Sequence, residues 1–297
     1  MRIFAAVFVG LLLLPTSCFA AIGIGDSAVI IRRAELSVIG GSLTILTPGS
    51  VVKVDAVDDS TLTVAAPRIG RIAADAVIPM ADANSYFTQL IDKDAKNAEA
   101  WTARGKVAFH KGEKEKAIAD FNASLMLRPD SETLALRGFS WKRSGDKEKA
   151  LADFNEAIRL NPKDAIAWRV RGATYASLTE YQKTLADYSE SIRVDPENPE
   201  SLHHRVILLS GCKDPQIRDG KQAVADATRA CELTGWKNAL FIMGLAAAYA
   251  ESGDFDAAVK WQSKVGELNS KGNSQSKSND PVLEQYREKK PFRMTWR

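Results

Sequence analysis

Between Ala98 and Asn198 the hydrophobic and small residues fall into one pattern written three times. The first copy reads Trp101, Arg104-Gly105, Ala108, Gly112, Ala117, Asp120-Phe121, Ser124, Pro129. The second reads Leu134, Arg137-Gly138, Trp141, Gly145, Ala150, Asp153-Phe154, Ala157, Pro162. The third has Trp168, Arg171-Gly172, Tyr175, then Thr184, Asp187-Tyr188, Ser191, Pro196. The glycines at 105, 138 and 172 sit 33 and then 34 residues apart, as do the prolines at 129, 162 and 196. Each copy predicts two antiparallel helices, the second ended by a proline that cannot continue it.

That period carries an aromatic or leucine early, a glycine four residues on and an alanine at 117 or 150. It resembles the tetratricopeptide repeat. The resemblance implies a mainly α fold: an α-solenoid of about five helical hairpins, near residues 98–130, 131–164, 165–198, 199–235 and 239–269 of an array over 97–270. In the fourth unit Val206 replaces the glycine, and five extra residues lie between Leu209 and Ala223, enlarging the turn. In the fifth, Ala246, Tyr249, Gly253 and Ala258 keep the frame.

Packing expectations follow. The glycines should face Ala117 and Ala150, letting paired helices approach. Trp101, Trp168, Phe121, Phe154 and Tyr188 should fill the space between successive hairpins. Arg104, Arg137, Arg171 and Arg205 recur in first helices, and Asp120, Asp153, Asp187 and Asp226 in second helices. They predict ion pairs within a repeat or with the preceding one, worth ~0.2–1 kcal/mol each at partly exposed positions.

Ahead of the array the period shortens to alternating runs: Ala28-Val29-Ile30-Ile31, Leu36 to Ile39, Leu43 to Leu46, Val51 to Val54, Leu62 to Val64 and Val77-Ile78. Turns at Gly40-Gly41, Pro48-Gly49 and Asp58-Asp59-Ser60 separate them. Residues 22–80 thus predict a small all-β barrel, similar to the bacterial SH3-like domain. From Ala21 to Ser85 there is no aromatic residue, His or Cys, so neither an aromatic peptide groove nor a catalytic dyad can be built there. Such a barrel either caps the array or binds through a polar face or sheet edge. Residues 81–96 read as an orphan helix capping the first repeat.

The two ends carry separate signals. Residues 1–20 read as a signal peptide: Arg2, an apolar run from Phe4 to Leu14, and small residues at Cys18 and Ala20. Cleavage after Ala20 and lipidation of Cys18 are the alternatives, and either predicts export to the periplasm or cell surface. Residues 271–297 read as a polar linker followed by a helix and a basic tail with Lys289, Lys290, Arg293 and Arg297. Leu283 and Tyr286 should dock on the fifth repeat; a free tail binding a membrane or acidic polymer is the alternative.

Composition narrows the chemistry. The 297 residues carry a net charge of +3, against a dedicated nucleic-acid binder. There is no Gly-rich phosphate loop, and the histidines are only three, at 110, 203 and 204. His203 and His204 are neighbours, pointing about 100° apart on a helix, so they cannot share a metal. Cys212 and Cys231 should be free and buried, since antiparallel helices separate them beyond disulfide reach. No catalytic, cofactor-binding or metal-binding residue is assigned, and the chain reads as non-enzymatic.

The family resemblance implies that an extended peptide lies on the inner, concave face of the first helices. That face carries Thr102, Lys106, Phe109, His110, Phe139, Lys142, Arg143 and Arg169. Cations interleaved with phenylalanines suit a protein partner or an acidic or C-terminal peptide. The Lys/Asn carboxylate clamp of chaperone-tail binders is not carried over, because Lys106 stands where an Asn would. The expected function is an exported interaction scaffold. The alternative is an envelope-anchoring or cell-wall adaptor acting through the barrel.

Overall fold

The computed structural model describes residues 27–32, 34–38, 43–57, 61–66, 68–73, 76–270 and 280–294. The signal segment 1–20, Cys18, the turns at Gly40-Gly41 and Asp58 to Ser60, the linker at 271–279 and residues 295–297 lie outside them. The chain divides into two compact units, Met1–Pro129 and Asp130–Arg297.

The first unit begins with strands β1 (Ser27–Ile30), β2 (Ala34–Val38), β3 (Leu43–Leu46), β4 (Val51–Val57), β5 (Thr61–Ala66), β6 (Arg68–Ala73) and β7 (Val77–Pro79). They form one antiparallel sheet in the order β3-β2-β6-β5-β4-β1-β7. Among the described residues β3 and β7 are edges, so the expected closed barrel is corrected to an open sheet. A three-residue β7 that runs directly into a helix at Met80 offers too few ladder groups to close it.

Helices α1 (Met80–Lys93), α2 (Ala98–Lys111) and α3 (Lys114–Leu127) complete this unit. Val29, Ile31 and Ile78 of the sheet share one core with Ala83 and Phe87 of α1 and Ala103 and Val107 of α2. The sheet is therefore seated on the helices.

The second unit contains the hairpins α4 (Ser131–Ser144) with α5 (Lys147–Leu160), α6 (Ala165–Ala176) with α7 (Tyr181–Val194), α8 (Pro199–Gly211) with α9 (Gly220–Leu233), and α10 (Ala239–Glu251) with α11 (Phe255–Ser270). A short α12 (Pro281–Arg287) follows. First helices start on side-chain caps: Asn97, Asp130, Asp164, Asn198 and Asn238 each accept a hydrogen bond from a backbone N–H of the first turn.

Inside each hairpin the glycine admits an aromatic ring. A Cβ at Gly105 would lie 2.6 Å from Phe121, at Gly138 2.7 Å from Phe154, and at Gly172 2.9 Å from Tyr188. The glycines thus meet the aromatic residues of their own second helix, where the alanines were expected. The tryptophans also differ from expectation. Trp101 and Trp168 are half-buried, and each indole N–H donates to the carbonyl of the preceding loop, Ala95 and Pro162, at 3.0 Å.

Every Arg/Asp pair forms as a two-pronged fork within its own hairpin. Arg104 Nε and Nη2 meet Asp120 at 2.9 and 2.7 Å, and Arg137 meets Asp153 at 2.8 and 2.6 Å. Arg171 meets Asp187 at 2.9 and 2.7 Å, and Arg205 meets Asp226 at 2.7 and 2.9 Å. The carboxylates are 9, 8, 4 and 6% exposed, so these pairs are far less solvated than expected. The separation is 16 residues in three hairpins and 21 in the fourth, which accommodates the five inserted residues. A third donor, Nη1, ties Arg104 to Thr88, Arg171 to Asn155 and Arg205 to Ser189 on the preceding helix.

The C-terminal segment docks on the last hairpin. Tyr286, 1% exposed, enters the cluster of Ala246, Ala250 and Ala258. Val282 and Phe292 accompany it where Leu283 was expected. Arg293 pairs with Glu251 at 2.6 Å, and the Met294 N–H donates to the Gly211 carbonyl at 2.9 Å. The described part of the basic tail is thus held against the helices.

Two outcomes test this account. Asp187→Leu leaves Arg171 partly buried without its carboxylate and should cost about 2–4 kcal/mol in urea unfolding. Arg171→Met/Asp187→Leu should recover most of that loss. Separately, the turn after the first helix has φ of +79° at Gly112, +91° at Gly145 and +89° at Gly253, but the third hairpin places Thr179 there at +60°. Since the left-handed region is costly for a β-branched residue, Thr179→Gly should stabilise by about 1 kcal/mol.

Candidate functional site

In the first unit the face expected to meet a ligand is covered by the chain itself. The turn Thr47–Ser50 lies on α2, and a Cβ at Gly49 would be 2.5 Å from the Ala103 carbonyl oxygen. Lys106 is 6% exposed, and its Nζ donates to Thr47 Oγ1 at 2.8 Å. Thr102 is 9% exposed, with its hydroxyl 2.7 Å from that of Ser124 on α3. Thr102 and Lys106 are therefore corrected from partner-facing to internal positions. Phe109 is half-buried and His110 exposed, their rings meeting edge to face at 6.3 Å.

In the second unit the remaining expected residues stay on first helices. Phe139 is half-buried on α4, edge-on to Phe154 at 5.8 Å. Lys142 is half-buried one helical step away, and Arg143 is exposed. Arg169 is half-buried on α6. Helical spacing places Ile166, 50% exposed, on the face of Arg169, and pairs Leu240 with Met243, 48 and 37% exposed, on one face of α10.

Around Arg169 the structure assembles polar groups that sequence reasoning had left out. Tyr188 on α7 is fully buried, and its hydroxyl has no hydrogen-bond partner. Arg169 Nε is likewise buried and unpartnered. The His204 ring lies 5.4 Å from that of Tyr188 and 6.5 Å from that of His203, which meets Phe241 of α10 at 5.3 Å. A Cβ at Gly244 would be 3.0 Å from His203 Nδ1, so that glycine lets α10 close on the imidazole. The repeat period offered one clue: 34 residues after Arg169 stands His203. Tyr188 gave none, because it reads as a core aromatic.

The electrostatics of this cluster are those of uncompensated cations. Burial lowers the pKa of Arg169, with Glu200, Tyr188 and Asp164 opposing the effect, yet neither acid forms an ion pair with it. Burial also lowers Lys142, and the nearby Lys147 and Arg169 add to the shift. Burial raises the Tyr188 hydroxyl far above its ordinary value. A buried donor left unsatisfied costs about 1–3 kcal/mol. Cys212 and Cys231 are both free and buried; Cys212 packs in the cluster of Tyr188, and burial pushes the Cys231 thiol up to about 11. Among the described residues no group of His, Cys, Asp and Glu is arranged to hold a metal ion, and no helix is long and apolar enough to cross a membrane.

His203 and His204, both half-buried, are pushed down to about 4. Desolvation is the main cause, with Arg169, His203 and Lys142 adding to the shift at His204. Their folded pKa lies below the unfolded value, so the unfolded chain takes up protons first as pH falls. Stability should be complete above pH ~6.5 and should fall between there and pH ~4, by about 2–3 kcal/mol per histidine. Urea midpoints at pH 7 and pH 4.5 check this, and His203→Gln/His204→Gln should flatten the dependence.

Residues 80–132 and 131–164 match the tetratricopeptide repeat family. No curated protein matches the sequence. Among solved structures, PilW, described as a widely conserved type IV pilus biogenesis factor, shares 17% identity with a TM-score of 0.57, over 69% of this chain and 90% of that one. YrrB, described as a TPR protein with an unusual peptide-binding site, shares 14% with a TM-score of 0.54, over 69% of this chain and all of that one. BtubC from P. vanneervenii shares 14% with a TM-score of 0.54, over 67% and 91%. At such identities the likeness is one of fold. The family match covers residues 80–164, and the helical hairpins share the tetratricopeptide-like fold.

Proposed function

We propose that the chain is an exported, non-enzymatic interaction scaffold holding a peptide or protein partner on the first helices of its second unit. The observation that carries this reading is the set of large side chains left open on those helices. Ile166, Leu240 and Met243 stand 50, 48 and 37% exposed, and Ile166 shares its helix face with Arg169. Large apolar side chains left exposed together are the anchors of a peptide groove rather than of a solvated surface. The tetratricopeptide fold is that of interaction scaffolds, and one structural relative is described as having a peptide-binding site. Export rests on the charged and apolar leader within residues 1–20. In the first unit the turn over α2 occupies the corresponding face, so the sheet serves as a cap and the partner belongs to the second unit.

Short random peptides displayed on phage and selected on the purified chain provide the test. Selected peptides should bind Ile166→Glu and Met243→Glu at least about tenfold more weakly, because each change puts a charge on an apolar anchor. Unchanged affinity in both variants would place the partner elsewhere.

A further inference from the structure

Lys142 of α4, Arg169 of α6, Tyr188 of α7 and His204 of α8 come together from four helices of one unit. We infer that this cluster is a carboxylate-binding subsite, which takes an aspartate or glutamate side chain from the middle of the partner peptide. The inference rests on the proposed peptide-binding role and adds the chemistry by which the partner is read.

Three observations point the same way. First, the donors are present and unused: Arg169 Nε and the Tyr188 hydroxyl are buried without a partner. Arg169 makes no ion pair, although burial penalises its charge. Each of the repeat arginines 104, 137, 171 and 205 is forked onto an aspartate, so an unpaired, half-buried arginine departs from the way this chain treats arginine elsewhere.

Second, the local charge is incomplete by about one unit. Lys147 and Arg169 both repel Lys142, and Glu200 and Asp164, both acting on Arg169, offset two of the three positive charges. Both histidines are neutral near pH 7, being pushed down to about 4. One monovalent anion closes this balance, and a planar carboxylate matches the guanidinium fork. Third, apolar side chains share those helices with the cations: Phe139 stands one helical step from Lys142 on α4, and Ile166 one from Arg169 on α6. Anchors for neighbouring peptide residues put the acid within the peptide rather than at its terminus.

Two measurements test this separately from the peptide-binding role. In the first, glutarate is titrated into the full chain while the Arg169 side-chain Nε–H resonance, assigned by its loss in Arg169→Gln, is followed by NMR. Glutarate should move that resonance, the neutral glutaramide should not, and Lys142→Gln should raise the glutarate concentration required. Absence of a glutarate response, or an equal response to glutaramide, would overturn the subsite whatever the peptides do.

In the second, peptides selected on the wild-type chain are compared with their Glu→Gln and Asp→Asn versions. Loss of the interior acid should weaken binding about tenfold on the wild type and little on Arg169→Gln, since a charge-assisted contact is already gone there. Peptides that bind equally well without the acid would overturn the subsite and leave the scaffold role standing. Peptides whose terminal carboxylate alone matters would overturn the interior placement. A glutarate response with no peptide selected would support the subsite while removing the peptide groove.

Discussion

A carboxylate buried between two helices has to be answered by a cation, and in this chain that demand sets the geometry of each of the four hairpins that carries one. The aspartates at 120, 153, 187 and 226 keep at most 9% of their side-chain surface. Each is gripped by both prongs of one guanidinium, and a planar fork tolerates little rotation or slippage. The first helix therefore cannot slide along the second without stranding a charge. The remaining prong reaches the preceding helix at Thr88, Asn155 and Ser189, so the contact that fixes one hairpin also places it on its neighbour. Glycine and aromatic ring then fill the space between the helices. The buried pair fixes register, while the ring supplies apolar burial.

Much of this was legible in the residues. The 33- and 34-residue period located the hairpins, and the recurring Arg and Asp announced their pairing. The five extra residues between Leu209 and Ala223 foretold the longer separation of Arg205 from Asp226. What periodicity does not carry is which recurrent residue faces which. The glycines could have met Ala117 and Ala150 or the rings of Phe121 and Phe154, because both recur at helical spacing on the second helix. Only the packed structure separates them.

The candidate site was less legible, for two physical reasons. Lys106 is removed from the ligand face by Thr47, 59 residues away, and a contact between a sheet turn and a helix leaves no periodic trace. Sheet closure failed in the same way, since pairing of β3 with β7 is a long-range property of strand length and direction. Tyr188 was overlooked because an aromatic residue at helical spacing reads as core, and His204 had been weighed only for metal or catalytic chemistry. The distinguishing property of Tyr188 is an unmet hydrogen-bonding demand, which depends on what surrounds it. Arg169 was singled out from its position, but its lack of an acidic partner is a fact of three dimensions.

The enlarged turn of the fourth hairpin has a consequence for how such proteins can diversify. Its inserted segment tucks Ile217 into the cluster of Tyr188, Leu208 and Cys212, and leaves the Arg205 fork intact. Because lengthening a connection adds only about 0.6 kcal/mol of closure entropy per doubling, that corner is a splice point. New sequence could be grafted between α8 and α9 without retuning the helices on either side.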